Sequence, residues 1–193
     1  MNLKFSKVAP NVLEEVQFGA GVVLSEFDPK NAQAANIIEN IIAAHDGGLN
    51  AYAKPTFLNL MEGIDNTVGD LKESVDIDMW ECGISGTFKT VSASTIKMLM
   101  AAADVADGKI TPRTYLTEAD FQDIWVVADY SKGETASTDG FIAVHLMNAL
   151  SQDGFNWQTE NKGKGTFTAN FKGYGTIADT DLVPFEVYIS EAA

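Results

Sequence analysis

Residues able to carry covalent or redox chemistry are scarce in this sequence. The 193-residue chain contains one cysteine, Cys82, and two histidines, His45 and His145. A single cysteine excludes a disulfide within the chain, and two histidines 100 positions apart match none of the short metal-binding spacings. We therefore predict no metal site, no cofactor and no catalytic centre, and we expect Cys82 to be a small buried apolar residue.

Basic residues are also few. Lysine and arginine number 13 against 27 aspartates and glutamates, which gives a formal net charge of -14 at pH 7. A charge of this sign repels the phosphates of nucleic acids, and it leaves no basic patch to bind them. We expect no specific binding of DNA, although a protein that lies beside DNA without holding it would have such a charge.

Long apolar segments are absent as well. No run approaches the roughly 20 apolar residues that a membrane-spanning helix needs, and none near the N-terminus has the length of a signal-peptide core. We expect the chain to be made and kept in the cytoplasm, without membrane contact. Hydrophobic residues still make up 46% of the sequence, which fits one folded domain over residues 1–193, with residues 1–14 interpreted as a mobile arm.

Short apolar segments separated by polar, Gly-rich breaks make up most of the chain. Such segments predict strands, and seven or eight strands with few helices predict a mainly β fold, a sandwich or a barrel. The predicted strands are residues 15–27, 37–44, 50–58, 75–91, 124–129, 140–149, 165–174 and 185–190. His145 lies within one of them as a satisfied sheet residue, whereas we expect His45 to cap a turn.

Helical periodicity is clear in one segment. An apolar stripe between Ser92 and Asp104 predicts a helix of about three turns that lies on a sheet, with Ser94 as its N-cap. Residues 31–44 fit either a helix or a buried strand, and we favour the strand. Polar stretches predict three loops, at residues 61–74, 104–120 and 131–139, the second with a capping turn at residues 117–120.

Residues 75–80 alternate between two kinds of side chain. The alternation predicts that Val75, Ile77 and Met79 share one strand face and that Asp76, Asp78 and Trp80 share the other. The two aspartates fit the paired carboxylates of a glycosidase, which lie roughly 5 to 9 Å apart, but we favour a solvated strand face. Trp80 and Trp125 lie in apolar strands, where we expect burial.

The order of several segments resembles that of the major tail tube proteins of long, non-contractile-tailed bacteriophages. The resemblance extends from about residue 21 to residue 189 and rests on this order, with a single helix between β segments. The segments are GVVLSEFDP (21–29), HDGGLN (45–50), KPTFL (54–58), STIKML (94–99), FQDIWVVADYS (121–131) and VPFEVYI (183–189).

This resemblance implies a β-sandwich or barrel-like tail tube fold with one flanking α-helix. It implies that residues 61–74 are a long inter-strand loop that reaches a neighbouring ring, and it implies no catalytic residue. The chain would be a virion protein that assembles in the host cytoplasm into stacked, hexameric rings around a tape measure protein. A tail terminator and distal tail proteins would be further partners, and DNA would pass through the tube during ejection.

The resemblance and the charge together indicate candidate contact residues. We interpret seven residues as lining the lumen or as contacting the next ring, namely Glu62, Asp65, Asp70, Lys72, Glu73, Asp76 and Asp78. Unpaired sheet edges on each copy would pair with sister copies, because an exposed edge is satisfied by another strand.

Two other classes of protein also fit the sequence. The inner tube of a contractile tail or tailocin shares the same expected fold. A carbohydrate-binding β-sandwich would use Trp80, Trp125 or Trp157 as an exposed stacking platform.

Overall fold

The computed structural model describes residues 17–32, 34–66, 69, 71–130 and 140–190. The predicted arm at residues 1–14 and the predicted loop at residues 131–139 lie outside the described residues. Within the described ranges the fold is mainly β, as the sequence predicts, and most of the strands are antiparallel partners in one large sheet.

Thirteen strands and helices follow one another along the described chain. They are β1 (Gln17–Leu24), α1 (Ala34–Glu39), β2 (Ile41–Ala43), β3 (His45–Asn59), β4 (Val75–Phe88), α2 (Ala93–Leu99), β5 (Ala103–Ala106), β6 (Lys109–Pro112), β7 (Gln122–Tyr130), β8 (Gly140–Ser151), β9 (Trp157–Gln158), β10 (Thr166–Lys172) and β11 (Phe185–Ser190). Single turns of 3-10 helix occupy Lys72–Ser74 and Glu118–Asp120. Seven of the eight predicted strands are confirmed, with bounds that differ by a few residues.

The large sheet folds over on itself to form a sandwich. Its strands follow the order β2-β1-β7-β8-β10-β4-β3, while β11 pairs with β8 and β9 pairs with β10. Strand β8 joins the two halves, because most of its length pairs with β7 and β11 whereas Leu150 and Ser151 pair with β10. The main core lies between the halves and includes Ile124 and Leu146 from one and Phe88 and Phe171 from the other.

The predicted strand at residues 37–44 is wrong in its first half. Helix α1 occupies that part, β2 follows it, and the fold therefore has two α-helices instead of the one expected. Ile37 packs on a second apolar cluster with Phe27 and Trp125, whereas Ile38 is 71% exposed. A buried strand with neighbouring isoleucines would cover both residues, so tertiary packing selects the helix.

Helix α2 is shorter than predicted. Its N-cap is Ser92, not Ser94, because the Ser92 hydroxyl accepts a hydrogen bond from the Thr95 backbone N–H at 3.2 Å. The helix ends at Leu99, and Ala101 has a left-handed backbone with φ of 63°. The predicted loop at residues 104–120 instead contains the β5–β6 hairpin, followed by the capping turn predicted at residues 117–120.

Gly83 does not interrupt β4, although the sequence suggests a bulge or bend there. The strand is continuous through this position, and Phe171 and Tyr52 lie against the glycine from the two neighbouring strands. A Cβ atom on Gly83 would lie 2.7 Å from the Phe171 carbonyl oxygen and 2.7 Å from the Tyr52 Oη. Glycine therefore allows β3, β4 and β10 to approach closely where the body of the protein ends.

Candidate assembly surface

Strands β3 and β4 continue well past the body of the protein. His45 faces Phe88 at one end of the pair, and Asn59 faces Val75 at the other, which corresponds to a length of about 40 Å. Cys82 is fully buried, as predicted, but every residue of β4 from Val75 to Glu81 is exposed. We call residues 54–59 and 75–81 the outer ribbon.

One face of the outer ribbon is apolar. Residues directly opposite each other in an antiparallel pair share a face, and Pro55 faces Trp80 while Phe57 faces Ile77. Two positions further along the register, Cys82 belongs to the same face and points into the core. The apolar surface of the core therefore continues outward along a row that we call the ribbon stripe, which consists of Pro55, Phe57, Val75, Ile77 and Trp80.

A β-bulge sets which residues belong to this stripe. Thr56 pairs with Met79 and Phe57 pairs with Ile77, so Asp78 is an extra residue on β4. The predicted alternation is therefore wrong beyond Ile77, because Met79 turns to the face of Asp76 and Trp80 joins the stripe. The predicted burial of Trp80 is wrong, since it is 37% exposed, whereas Trp125 is buried at 8%.

The exposure of the stripe is large for a protein in water. Phe57 is 62% exposed, and Ile77 is 49% exposed. The turn that follows adds other exposed apolar residues, namely Leu60, Met61, Ile64 and Leu71. Contiguous apolar patches of this kind mark contact surfaces, because monomeric proteins rarely expose them.

The turn between the two strands of the outer ribbon is called the tip, and its described residues are 60–66, 69 and 71–74. The outer ribbon and the tip hold six of the seven predicted contact residues. They are Glu62, Asp65, Lys72, Glu73, Asp76 and Asp78, and all six are exposed. Asp70 lies outside the described residues. None of the six forms an ion pair with another described residue, and the Asp76 carboxylate accepts the Ile77 N–H at 2.8 Å. The general acid of a glycosidase acts in an enclosed site, whereas Asp76 and Asp78 both lie on open strand surface.

Two long strand edges have no described partner. Strand β3 pairs with β4 alone, and β11 pairs with β8 alone, among the strands that the structure describes. Pro55 interrupts the donor row of β3, as prolines commonly do on edge strands. The outer side of β11 exposes Val187 and Ile189 by 52% and 57%. Each edge offers backbone groups that another chain can pair with.

Both histidines have structural contacts. His145 stacks on Trp125 with ring centroids 3.9 Å apart, and its two ring nitrogens lie 3.1 Å from Asp123 and 3.4 Å from Glu186. It thus links β7, β8 and β11, as expected for a satisfied sheet residue. His45 does not cap a turn as predicted, because it begins β3 and its Nε2 lies 2.9 Å from the Gly21 carbonyl oxygen.

The pKa values of Cys82 and Tyr188 are raised for structural reasons. Burial, with a smaller contribution from the charge of Glu81, raises the pKa of the Cys82 thiol. A hydrogen bond to Glu186, together with burial, raises the pKa of the Tyr188 hydroxyl, which donates to the Glu186 carboxylate at 2.6 Å. Neither shift favours the thiolate or phenolate that a nucleophile requires.

The strongest charged cluster also has a structural role. Arg113 donates to both carboxylate oxygens of Asp120, at 2.6 and 2.8 Å, and the Thr117 backbone N–H and hydroxyl each donate to Oδ2 of Asp120 at 2.8 Å. The Asp120 side chain is fully buried, whereas Asp104, the second partner of Arg113, is 68% exposed. The cluster fixes the chain after β6 to the 3-10 turn that precedes β7.

The described part of the chain contains neither a metal-binding cluster nor a helix that could span a membrane. No group of three or more His, Cys, Asp or Glu side chains there is arranged to hold a metal ion. No described helix has both the length and the apolar character to span a bilayer.

The apolar residues of the ribbon stripe are not among the contact residues predicted from the sequence. The apolar residues at 75–80 and the Phe57-Leu58 pair are visible in the sequence, but alternation alone does not distinguish an exposed apolar face from a buried one. No local pattern indicates that both strands continue beyond the core. No protein-family model matches the sequence, and no curated protein is detectably similar to it.

Proposed function

We propose that this chain is a structural subunit that assembles with copies of itself into stacked rings around a channel. The observation that carries the proposal is the ribbon stripe, an apolar row that extends from the core and is left uncovered in one copy. About half of each of Phe57 and Ile77 is exposed in the single copy, and burying the exposed part against a neighbour stabilises the assembly by about 1 to 2 kcal/mol for each side chain.

Edge pairing supplies the second kind of contact. The sides of β3 and β11 that have no partner among the described strands lie on different parts of the sandwich. A contact between two different surfaces of identical chains produces a ring when the rotation closes and a filament when it does not. Pairing of backbone groups also fixes the register between copies, so it suits a regular tube.

The resemblance to tail tube proteins names the assembly that fits best. We propose a phage tail tube with rings of six copies, located in the virion, with a tape measure protein, a tail terminator and distal tail proteins as partners. A net charge of -14 on each copy gives a wall that repels phosphates, so DNA would move through the channel without binding. The inner tube of a contractile tail uses the same physics and remains the alternative within this class.

Electron microscopy of the purified full-length chain tests the proposal. At high protein concentration we expect rings or tubes with a stain-filled axial channel, because the ribbon stripe and the strand edges find partners only in other copies. Analytical ultracentrifugation across a dilution series should show the same assemblies dissociating. Particles of single-copy size at all concentrations would contradict the proposal.

Carbohydrate binding is the second candidate, and one observation favours it. Trp157 is 58% exposed and stacks flat on Phe167, with ring planes 7° apart. An exposed and rigidly held indole is a suitable platform for a sugar ring. Quenching of tryptophan fluorescence by a glycan, abolished by Trp157→Ala, would favour this candidate over a tube.

A further inference from the structure

The end of the β3–β4 pair opposite to the outer ribbon has a distinct aromatic surface. The strand register aligns four residues in one row at this end, namely Trp157, Phe167, Phe88 and His45. Phe88 is buried and Phe167 packs on the core, whereas Trp157 is largely exposed. Phe155, which is 37% exposed, lies beside Phe167 at 5.9 Å. The row thus ends in an open aromatic platform.

Two lysines lie at the same end. Lys89 and Lys164 line an open depression of about 620 Å³ together with His45 and Asp46. Lys89 forms an ion pair with the exposed Asp46 at 3.2 Å, whereas Lys164 forms no ion pair with any described residue. We call Trp157, Lys89 and Lys164 the receiving patch.

The tip of the outer ribbon has the complementary chemistry. Leu60 and Met61 are 57% and 37% exposed, and the exposed acids Glu62 and Asp65 follow them directly. Over the described residues between 54 and 81, six carboxylates accompany two lysines. The tip therefore combines an apolar surface with negative charge, and the receiving patch combines an aromatic surface with positive charge.

Distance prevents the tip from reaching the receiving patch of its own chain. The two surfaces lie at opposite ends of one continuous strand pair that is about 40 Å long. A tip can meet such a patch only in another copy. A contact of this type is head-to-tail, and it continues from copy to copy along the strand direction when the rotation between copies does not close a ring.

We propose that the tip of one copy docks on the receiving patch of a second copy. This inference rests on the proposed function, and it adds the direction of stacking and the residues that meet. Leu60 and Met61 cover the indole of Trp157, which removes apolar surface from water. Glu62 and Asp65 approach Lys89 and Lys164, and these charges set the orientation and accelerate association.

A charge exchange between two variants tests the proposal. The tip variant is Glu62→Lys with Asp65→Lys, and the patch variant is Lys89→Glu with Lys164→Glu. Each variant alone presents like charges at the contact, so we expect it to need at least about tenfold more protein than the native chain to assemble. An equimolar mixture should assemble near the native concentration, because each tip then meets a patch of opposite charge.

The control variant is Lys30→Glu with Lys109→Glu, which makes the same charge change at exposed positions away from both surfaces. It should assemble as the native chain does, and circular dichroism verifies that all variants are folded. Salt gives a second readout, since high ionic strength screens the like charges at the variant contact and should reduce the difference in assembly between each single variant and the native chain.

The outcomes separate this inference from the proposed function. Failure of the native chain to assemble contradicts the proposed function. Single variants that assemble normally, a defect that high salt does not reduce, or a mixture that is not rescued each overturn the docking contact while leaving the tube in place. Binding of a glycan to Trp157 with no effect on assembly would also overturn it.

Discussion

Replacing two apolar residues of the ribbon stripe is expected to abolish assembly. In the double variant Phe57→Ser with Ile77→Ser, two facing side chains of the stripe no longer gain from burial between copies. Since both side chains are already partly covered in the single copy, the loss is about 2 to 3 kcal/mol for each contact, which raises the concentration needed for assembly about thirtyfold or more. Sedimentation velocity and electron microscopy at a concentration where the native chain assembles would measure this effect.

The opposite face of the same ribbon provides the matched control. Leu58 and Met79 are exposed by 47% and 51%, and both lie on the face away from the stripe. The variant Leu58→Ser with Met79→Ser removes a similar apolar area from the same two strands, and we expect it to assemble close to normally. Equal loss in the two double variants would show that general polarity of the ribbon matters and that the stripe is not a specific contact.

The second large effect is expected at Asp120, where Asp120→Ala should destabilise each copy by about 3 kcal/mol. The substitution leaves the Arg113 guanidinium and the two Thr117 donors facing a cavity in a buried position. Urea denaturation at low protein concentration measures the free energy of unfolding of the single copy. Asp104→Ala removes the exposed partner of the same arginine and should cost less than about 1 kcal/mol.

The contribution of Asp120 also depends on pH. Burial by itself would raise the pKa of this carboxyl, but hydrogen bonds from Thr117 and the bond and charge of Arg113 outweigh it and hold the pKa below the ordinary value. A group with a lowered pKa in the folded state stabilises fully above its unfolded pKa of about 3.9, and this stability is lost as the pH falls through the folded value.

The native chain and Asp120→Ala should therefore differ most near neutral pH. We expect the difference in their free energies of unfolding to narrow as the pH falls below about 4, where Asp120 of the unfolded chain takes up a proton while the native carboxylate, with its lower pKa, is still charged. A difference that stays constant between pH 7 and pH 3 would contradict the role assigned to this ion pair.

Much of the fold is predictable from the alternation of apolar and polar side chains in strands and from the capping residues of turns. Alternation along residues 165–174 predicts that Phe167, Ala169 and Phe171 share one face, and Ala169 and Phe171 are buried in the core with Phe167 packed against it. β11 begins and ends at the predicted residues. The turn at residues 117–120 was predicted from its capping residues, but its partner Arg113 comes from an element that the sequence presented as loop.

The errors occur where distant packing overrides the local pattern. Four isoleucines near residue 40 suit a strand locally, yet Ile37 meets Phe27 and Trp125 only when a helix precedes β2. The bulge at Asp78 changes the faces of Met79 and Trp80 without any glycine or proline to signal it. Six of the seven charged contact candidates lie on the outer ribbon or in the turn that joins its strands, whereas the exposure of its apolar stripe depends on how far the strands extend beyond the core.

Photo-cross-linking from position 57 tests whether another copy covers the ribbon stripe. The phenylalanine analogue benzoylphenylalanine replaces Phe57 in the full-length chain, and the assembled protein is irradiated, digested and analysed by mass spectrometry with a mixture of isotopically light and heavy copies. We expect mixed light–heavy cross-linked peptides, because the stripe is covered by another copy. Cross-links found within single copies alone, or none above the level of a dilute sample, would contradict it.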